Sequence, residues 1–515
     1  MRKKLLKSTL ILSAVTVVSK VTGLLRDIVF AYYFGAGAQM DVFNVAYRIP
    51  NFIAVLFGEG VFSQALVPIL SEYRRNRTRE EIKQFLRKMM GNIFLVVAMV
   101  VLIAVVLSPL IVKIFAPGFT KDYDSFKLTV TMLRIMLPCI VCLSFVAFSS
   151  SILNAHDQFG IPAFTPIILN LSLIGGAVLI SPYFLQPIVA LAWGVLLGGI
   201  FQFLFQLPFL KHLGLLVKPQ ILWWDDEVKK VLKLMLPAIL GVSVVQLNFL
   251  INNFLASFLP KGSITWLSYA NRLVSFPAGL FGVTMATVLL PYLSRKYAER
   301  SVEEFSKVLD QALKLLLTIA IPATIGLMLL AGPVVITIFW VKGGQFNNFD
   351  AFMVKKSLFV FALGIPAFMV TKLLASSFYS RQDISTPARI AIASLIINVG
   401  LALSLITWLK HVGLALASVM ASSVNALGLF LIMRKKGIYI PSEGWGKFII
   451  RIIFANIILA IFLIFLSPAM DVWFSFSKII SISYLGAICV GAIIGYLAVL
   501  RIIGVDIRNF ILDKR

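Results

Sequence analysis

The sequence predicts an all-α polytopic membrane protein with about fourteen transmembrane helices, arranged as two pseudo-symmetric six-helix lobes plus two C-terminal helices. Three observations predict it. The 515 residues are 60% hydrophobic and only 13% charged, with a mean hydropathy of +0.95, outside the range of soluble globular domains. The apolar residues gather into runs of about 20, the length a helix needs to cross a hydrocarbon core. Part of the first half of the chain recurs in the second. The net charge of +25 does not point to nucleic acid, because the Lys and Arg residues sit in short clusters between apolar runs, as cytoplasmic loops do.

The first run, 8–34, follows Arg2, Lys3, Lys4 and Lys7 and so begins like a signal peptide. It lacks a small-residue cleavage site after a short core and continues through Lys20 and Arg26, which marks it as a retained first helix. Within it Thr16, Ser19, Lys20, Gly23, Arg26 and Asp27 recur at three- and four-residue steps and share one face. A charge at the centre of a spanning helix costs about 2.5–3.5 kcal/mol on insertion scales, so such residues face a bundle interior or a water-filled cavity. Two readings follow: a structural ion pair of Arg26 with Asp27 or Asp41, or a set of cavity cations, since Lys20 and Arg48 add charge that one local pair does not neutralise.

Runs 41–70, 89–115, 127–154, 161–181 and 187–210 complete the first set, and 231–258, 264–293, 309–340, 357–380, 388–408 and 412–433 make the second. Runs 448–467 and 479–500 follow. Pro50 and Pro322 mark the second and ninth runs as irregular. Cys139 and Cys142 lie one turn apart in an apolar helix, while His156, His212 and His411 fall in separate predicted loops. The two cysteines read as small buried residues rather than a metal or redox pair.

Loop charge tests this topology independently. On one side lie the N-terminal tail, the cluster Arg74 to Arg79, the loop Lys211 to Lys230, Arg295-Lys296, Arg381 to Arg389, Arg434-Lys435-Lys436 and the C-terminal tail. The connections near Gly35, Ser181, Lys261, Lys410 and Ser467 carry little charge, and Lys121 is balanced by Asp122 and Asp124. Both termini are then expected in the cytoplasm. The loop Val341 to Lys356 fits least well, with three lysines on the outer side.

The repeat has an offset of 224 residues, the difference between Arg48 and Arg272. Ala46-Tyr47-Arg48-Ile49 matches Ala270-Asn271-Arg272-Leu273, Phe57-Gly58 matches Phe281-Gly282, and Leu66 to Ser71 matches Leu289 to Ser294 after one residue of slippage. A shift of six runs keeps orientation, so the repeats are parallel, with substrate expected at their interface. The expected domains are an N-terminal lobe 1–210, a cytoplasmic linker 211–230, a C-terminal lobe 231–436 and an additional pair of helices in 437–515. Arg48 and Arg272 occupy equivalent points, either lining one space or reaching a headgroup region. An arginine fork suits phosphate or carboxylate. Glu59 is a proton site, a partner for a cavity arginine or a helix–helix hydrogen-bonder. With Asn51, Ser63 and Gln64 it flanks the glycines Gly58 and Gly60, while Asn248, Asn252 and Asn253 either pack between helices or coordinate a cation. No Walker A loop, nucleophile with its base, or metal cluster is present, so the chain reads as a transporter without nucleotide hydrolysis or cofactor.

These residues resemble the MurJ (MviN) family, lipid II flippases of the multidrug/oligosaccharidyl-lipid/polysaccharide exporter superfamily. The resemblance runs nearly end to end. It is carried by Gly23-Leu24-Leu25-Arg26-Asp27, Phe34-Gly35-Ala36-Gly37, Pro50-Asn51, Phe57 to Ala65, Val67-Pro68-Ile69-Leu70, Pro237-Ala238-Ile239-Leu240-Gly241 and Phe378 to Asp383. It implies two six-helix lobes around a cationic central cavity, a groove on the last two helices for a lipid tail, and alternating access. By it, lipid II passes from the inner to the outer leaflet of the cytoplasmic membrane. The family's cavity cations map onto Arg26 and Arg272, with Lys20 where arginine is common; Asp27, Asp41, Asn51 and Glu59 also match. Many members carry an arginine pair two residues before a phenylalanine-small-Glu-Gly segment, where this chain has Ala54-Val55. Either Arg48 or Lys20 compensates, or headgroup binding is arranged differently.

The resemblance implies lipid II and the phospholipid bilayer as partners, admits cell-wall synthesis proteins, and leaves membrane potential or an ion gradient as the driving force. An exporter of another lipid-linked glycan, or a drug or cation antiporter of the same fold, is the alternative. The antiporter would need a carboxylate-dominated aromatic cavity. An enzyme acting on a lipid diphosphate would need a carboxylate or histidine cluster near the cytoplasmic face, and the sequence offers none.

Overall fold

A computed structural model describes residues 2–57, 61–221, 225–299 and 301–505. Among these, regular structure is helical throughout. The first set of runs becomes α1 (Arg2–Phe34), α2 (Ala38–Phe57), α3 (Val61–Asn76), α4 (Arg79–Val106), α5 (Ser108–Phe115), α6 (Tyr123–Met136), α7 (Cys139–Ala155), α8 (Gly160–Gly175) and α9 (Val189–His212). The second becomes α10 (Asp226–Ala256), α11 (Ser263–Pro277), α12 (Thr284–Ala298), α13 (Val302–Leu329), α14 (Ala331–Phe339), α15 (Asn348–Leu363), α16 (Ile365–Tyr379) and α17 (Ser385–Lys435). Last come α18 (Trp445–Leu466), the short α19 (Met470–Ser475) and α20 (Lys478–Ile502).

Each expected run thus falls on helix, apart from the positions outside the described residues. Eight described helical segments are long and apolar enough to cross a membrane, and a ninth arises if the pair α15 and α16, bent by 43°, is one span. The difference from fourteen lies partly in how runs join. Runs 388–408 and 412–433 merge into the 51 residues of α17, which turns at Lys410 with φ of 50° and ψ of −130°. The return is close-packed: a Cβ on Gly413 would lie 2.6 Å from the carbonyl oxygen of Leu405, so only glycine fits there.

The prolines act differently from expectation. Helix α2 carries Pro50 in its interior and α13 runs on through Pro322; the ninth run breaks later, at Leu330, whose φ of −94° and ψ of 14° leave the helix. A proline removes one ladder bond, and neighbouring helices hold the remaining turns in place. Ends that meet water carry polar caps: Thr78 and Glu81 form a capping box on α4, Asn347 and Asp350 another on α15, and Ser301 caps α13.

Contacts divide the chain into two compact units, Met1–Gly262 and Ser263–Arg515. In the first, α8 packs on α1 and α9, α7 on α3 and α9, and α2 on α6. Phe30, Met40, Phe43, Phe85, Leu86, Met89 and Met132 belong to its buried core. Helix α10, which the repeat assigns to the second lobe, packs on α2 and α3 in this unit. The segment after it is fastened there three times: Gly118 N donates to Ser257 Oγ (3.1 Å), Lys261 Nζ pairs with Asp122 (2.6 Å), and Gly262 N donates to Asp41 Oδ2 (2.6 Å).

In the second unit α11 packs on α15, α16 on α13 and α17, and Tyr269 stacks on Phe339 with centroids 4.6 Å apart. Helices α18 and α20 pair with each other and join through α13 and α14. Their outer faces expose Ile450, Ile464, Phe465, Ile479 and Ile494. So broad an apolar surface is stable only against lipid or another apolar partner.

Candidate functional site

The polar face of α1 meets α8 around Arg26. Its guanidinium donates to Asp27 Oδ1 through Nε (3.0 Å) and Nη2 (2.6 Å), and through Nη1 to Asn170 Oδ1 on α8 (3.0 Å). Asn170 in turn donates through Nδ2 to the Ser19 carbonyl and to Thr22 Oγ1, both at 3.3 Å. Arg26 and Asp27 are only 8% and 5% exposed, so the pair is desolvated. Adjacent residues on a helix do not ordinarily face each other; the long Arg26 side chain nevertheless reaches Asp27, with its guanidinium 5.6 Å from the ring centre of Phe30 one turn on. Gly23 faces the same amide, and a Cβ there would meet Asn170 Nδ2 at 3.5 Å, an ordinary contact.

Of the two readings of this face, the structure supplies the Arg26–Asp27 ion pair and adds an amide partner that sequence reasoning missed. Asn170 stands alone as a polar residue in the apolar stretch Ile167 to Leu171, the same kind of signal as Arg26 but weaker because an amide carries no charge. Breaking a buried pair by removing one partner costs about 3–5 kcal/mol, because the other charge stays behind. Such a group is kept in an apolar helix only if its charge is used or fully compensated.

The remaining candidates are spread along α1, α2 and α11. Lys20 is half-buried, six residues before Arg26 on the same helix, and among the described residues no carboxylate lies within ion-pair distance of it. Asp41, buried in the first turn of α2, accepts from the Gly262 amide and so fixes a loop. Arg48 is half-buried, with its guanidinium 4.9 Å from the ring of Phe249 on α10. Asn51 is half-buried one residue after Pro50, and Arg272 is exposed on α11. Glu59 lies outside the described residues, as does the side chain of Ser63. Within the first unit the structure therefore brings Arg26 and Asp27 together directly and sets Asp41 and Arg48 on separate contacts.

Among the described residues no group of His, Cys, Asp and Glu is placed to hold a metal ion. Cys139 donates through Sγ to the Val195 carbonyl (3.3 Å), a packing contact between α7 and α9. Outside the spanning segments, the hydrogen bond from Lys261, helped by the Ser125 hydroxyl, holds the Asp122 carboxyl below its ordinary value and raises the lysine in return.

The sequence profile of the family described as "Lipid II flippase MurJ" matches residues 30–484. A Haemophilus influenzae protein named "Probable lipid II flippase MurJ" is 38% identical over 512 residues, covering 97% of this chain and 100% of that protein. A Vibrio cholerae protein of the same name is 39% identical, with 98% of each chain covered. The solved structure titled "Lipid II flippase MurJ, inward closed conformation" superposes with a TM-score of 0.79 at 27% identity, covering 96% of this chain and 98% of that one.

Proposed function

The chain belongs to the MurJ family of lipid II flippases, and on that premise we propose how it works. It is a multi-pass protein of the bacterial cytoplasmic membrane and a transporter, not an enzyme. It carries lipid II, an undecaprenyl-diphosphate-linked disaccharide-pentapeptide, from the inner to the outer leaflet by alternating access through a cationic cavity. Both termini face the cytoplasm, and cell-wall synthesis proteins are the macromolecular partners this reading admits.

The observation that carries the mechanism is the desolvated guanidinium of Arg26, held at one end by Asp27 and at the other by Asn170. A fork fixed at both ends presents its charge in one orientation, which suits a diphosphate rather than a diffuse anion. Arg26, Lys20 and Arg272 act as clamps, with Arg48 and Asn51 beside them; Asp27, Asp41, Glu59 and Ser63 support or couple. Like charges resist closing on an empty site, and the diphosphate relieves that resistance, so cargo charge couples binding to the change of access. Membrane potential or an ion gradient supplies the driving force: one charge moved across 100 mV gains about 2.3 kcal/mol.

The test is rescue of a conditional flippase-depleted bacterium, with lipid II orientation assayed across the cytoplasmic membrane. Rescue by the wild-type chain, lost in Arg26→Ala and Arg272→Ala at normal membrane levels, is the expected result. Growth of the Arg26→Ala strain with outward lipid II would overturn the clamp.

A further inference from the structure

The second unit has a cavity of about 470 Å³ at the end that loop charge assigns to the cytoplasm. Three separate stretches converge on it: the end of α12 with Lys296 and Tyr297 and its turn into α13 with Ser301, the turn after α16 with Arg381, and the turn after α17 with Ile438. Among the described residues that line it, the charged ones, Lys296 and Arg381, are both cationic. Lys296 is already engaged, by Glu299 at 2.9 Å and by Glu304. Arg381 is not: among the described residues no carboxylate is within ion-pair distance, and its guanidinium lies over the Tyr297 ring at 5.0 Å.

The chain is built to keep Arg381 apart from the acid two residues away. Gln382 adopts the left-handed φ of 61° that normally favours glycine, and the Asp383 carboxylate is taken up by Thr386, Ser385 and Lys436 (3.0 Å). A cation left over in this way, beside a hydroxyl, offers a fork to a phosphate. The rest of the wall is apolar. Phe305 and Ile438 are buried in it, while Tyr297 and Val302 are half-exposed at its edge. Val302 begins α13, a helix long and apolar enough to span a membrane, which puts the cavity at headgroup depth.

We propose that this cavity binds the phosphate headgroup of an acidic glycerophospholipid of the cytoplasmic leaflet, with Arg381 on the phosphate and the Val302–Tyr297 edge against its glycerol and upper acyl carbons. Basic pockets between helix ends on the cytoplasmic side take such headgroups. Free phosphate would satisfy Arg381 but leave the apolar edge uncovered. The site shares no residue with the Arg26 clamp and does not depend on it.

The purified full-length chain in detergent tests this by the rise in its thermal midpoint on titration with phosphatidylglycerol, phosphatidylcholine or sodium phosphate. Phosphatidylglycerol should stabilise at concentrations where the other two do not. Arg381→Gln should raise the half-saturating concentration about five-fold, the effect of one surface cation, whereas Arg26→Ala should leave that concentration unchanged. Arg381→Ala removes the same charge and provides the same reading if the glutamine variant is poorly folded. An unchanged titration in the Arg381 variants overturns the proposal, and so does an equal response to sodium phosphate. Loss of the response in Arg26→Ala alone would place the lipid at the clamp instead and equally overturn it.

Discussion

Of the carboxylates buried among the described helices, Asp27 and Asp310 are satisfied in opposite ways. Asp27 in the first unit holds an arginine, whose Nη1 donates to an amide on a neighbouring helix. Asp310 on α13 in the second unit is enclosed by donors. Tyr439 Oη and Trp445 Nε1 each reach Oδ1 at 2.6 Å, Ser442 supplies its amide and hydroxyl, and Lys314 reaches Oδ2 at 2.7 Å from the next turn of the same helix. The ring of Trp445 also lies 5.3 Å from the Lys314 ammonium. Asp310 thereby fastens the 436–445 connection, and with it the start of α18, onto α13. A carboxylate surrounded by donors from a loop fixes a chain path; a carboxylate whose main partner is a cation fixes where that charge points. The first arrangement is complete within the protein, and the second is suited to meeting a ligand.

The comparison breaks most visibly if each acid is removed. Asp27→Ala leaves Arg26 desolvated without its counter-charge, and Asp310→Ala strands Lys314 and four further donors; each should cost about 3–5 kcal/mol of stability. They should differ in where the cost appears. Loss of Asp310 should raise hydrogen exchange locally over residues 436–445, with flipping reduced only as far as folded protein is reduced. Loss of Asp27 should abolish flipping even in the fraction that remains folded, measured as lipid II orientation per unit of inserted protein. Equal effects on both readouts for the two variants would erase the distinction.

A smaller effect sharpens it. Asn170→Ala removes one hydrogen bond to Arg26 and two from the amide to α1, at a cost of about 1–3 kcal/mol, with the ion pair left in place. If orientation of the guanidinium matters, flipping should fall by more than the loss of folded protein explains. Asn170→Asp, which keeps the acceptor, should recover part of it. A variant with wild-type flipping would show that Asp27 alone positions the fork.

The asymmetry between the two acids was also one of legibility. Charge inside an apolar run is visible in sequence, so Arg26 and Asp27 stood out, and the period of the run put them on one face with Ser19 and Gly23. The helical nature of the runs was readable for the same reason: it is a local pattern of hydropathy. What sequence did not display was contact over long separations. Asn170 lies 144 residues from Arg26, and the donors to Asp310 from the connection before α18 lie 129 to 135 residues beyond it. Asp310 itself sits near the start of a run, where an acid looks like an ordinary helix-end residue. Helix breaks were misjudged because proline is a local signal while packing decides its outcome: α13 passes through Pro322 and breaks at Leu330.

The smallest effect expected belongs to the exposed counterpart of these buried pairs, Asp122 with Lys261, which clips the turn before α6 to the segment after α10. Lys261 is 68% exposed, so the contact is screened and weak. Its pH dependence has a definite sign. The hydrogen bond from Lys261 holds the folded carboxyl below its ordinary 3.8, so the stabilisation is complete above that value and is lost as pH falls through the depressed one. Lys261 is raised above its ordinary 10.5, so its share is complete below that value and lost only as pH rises beyond the raised one. The clip should therefore be flat through neutral pH and open on the acid side. The Ser125 amide, which donates to Asp122 Oδ1 at 3.4 Å, is the local reporter: its protection from hydrogen exchange, corrected for intrinsic rate, should drop below about pH 4. Salt should weaken it at every pH, and Asp122→Asn should remove the acid limb. Retention of that limb in the asparagine variant would assign the transition to another carboxylate, with Asp124 on the next turn the nearest in sequence.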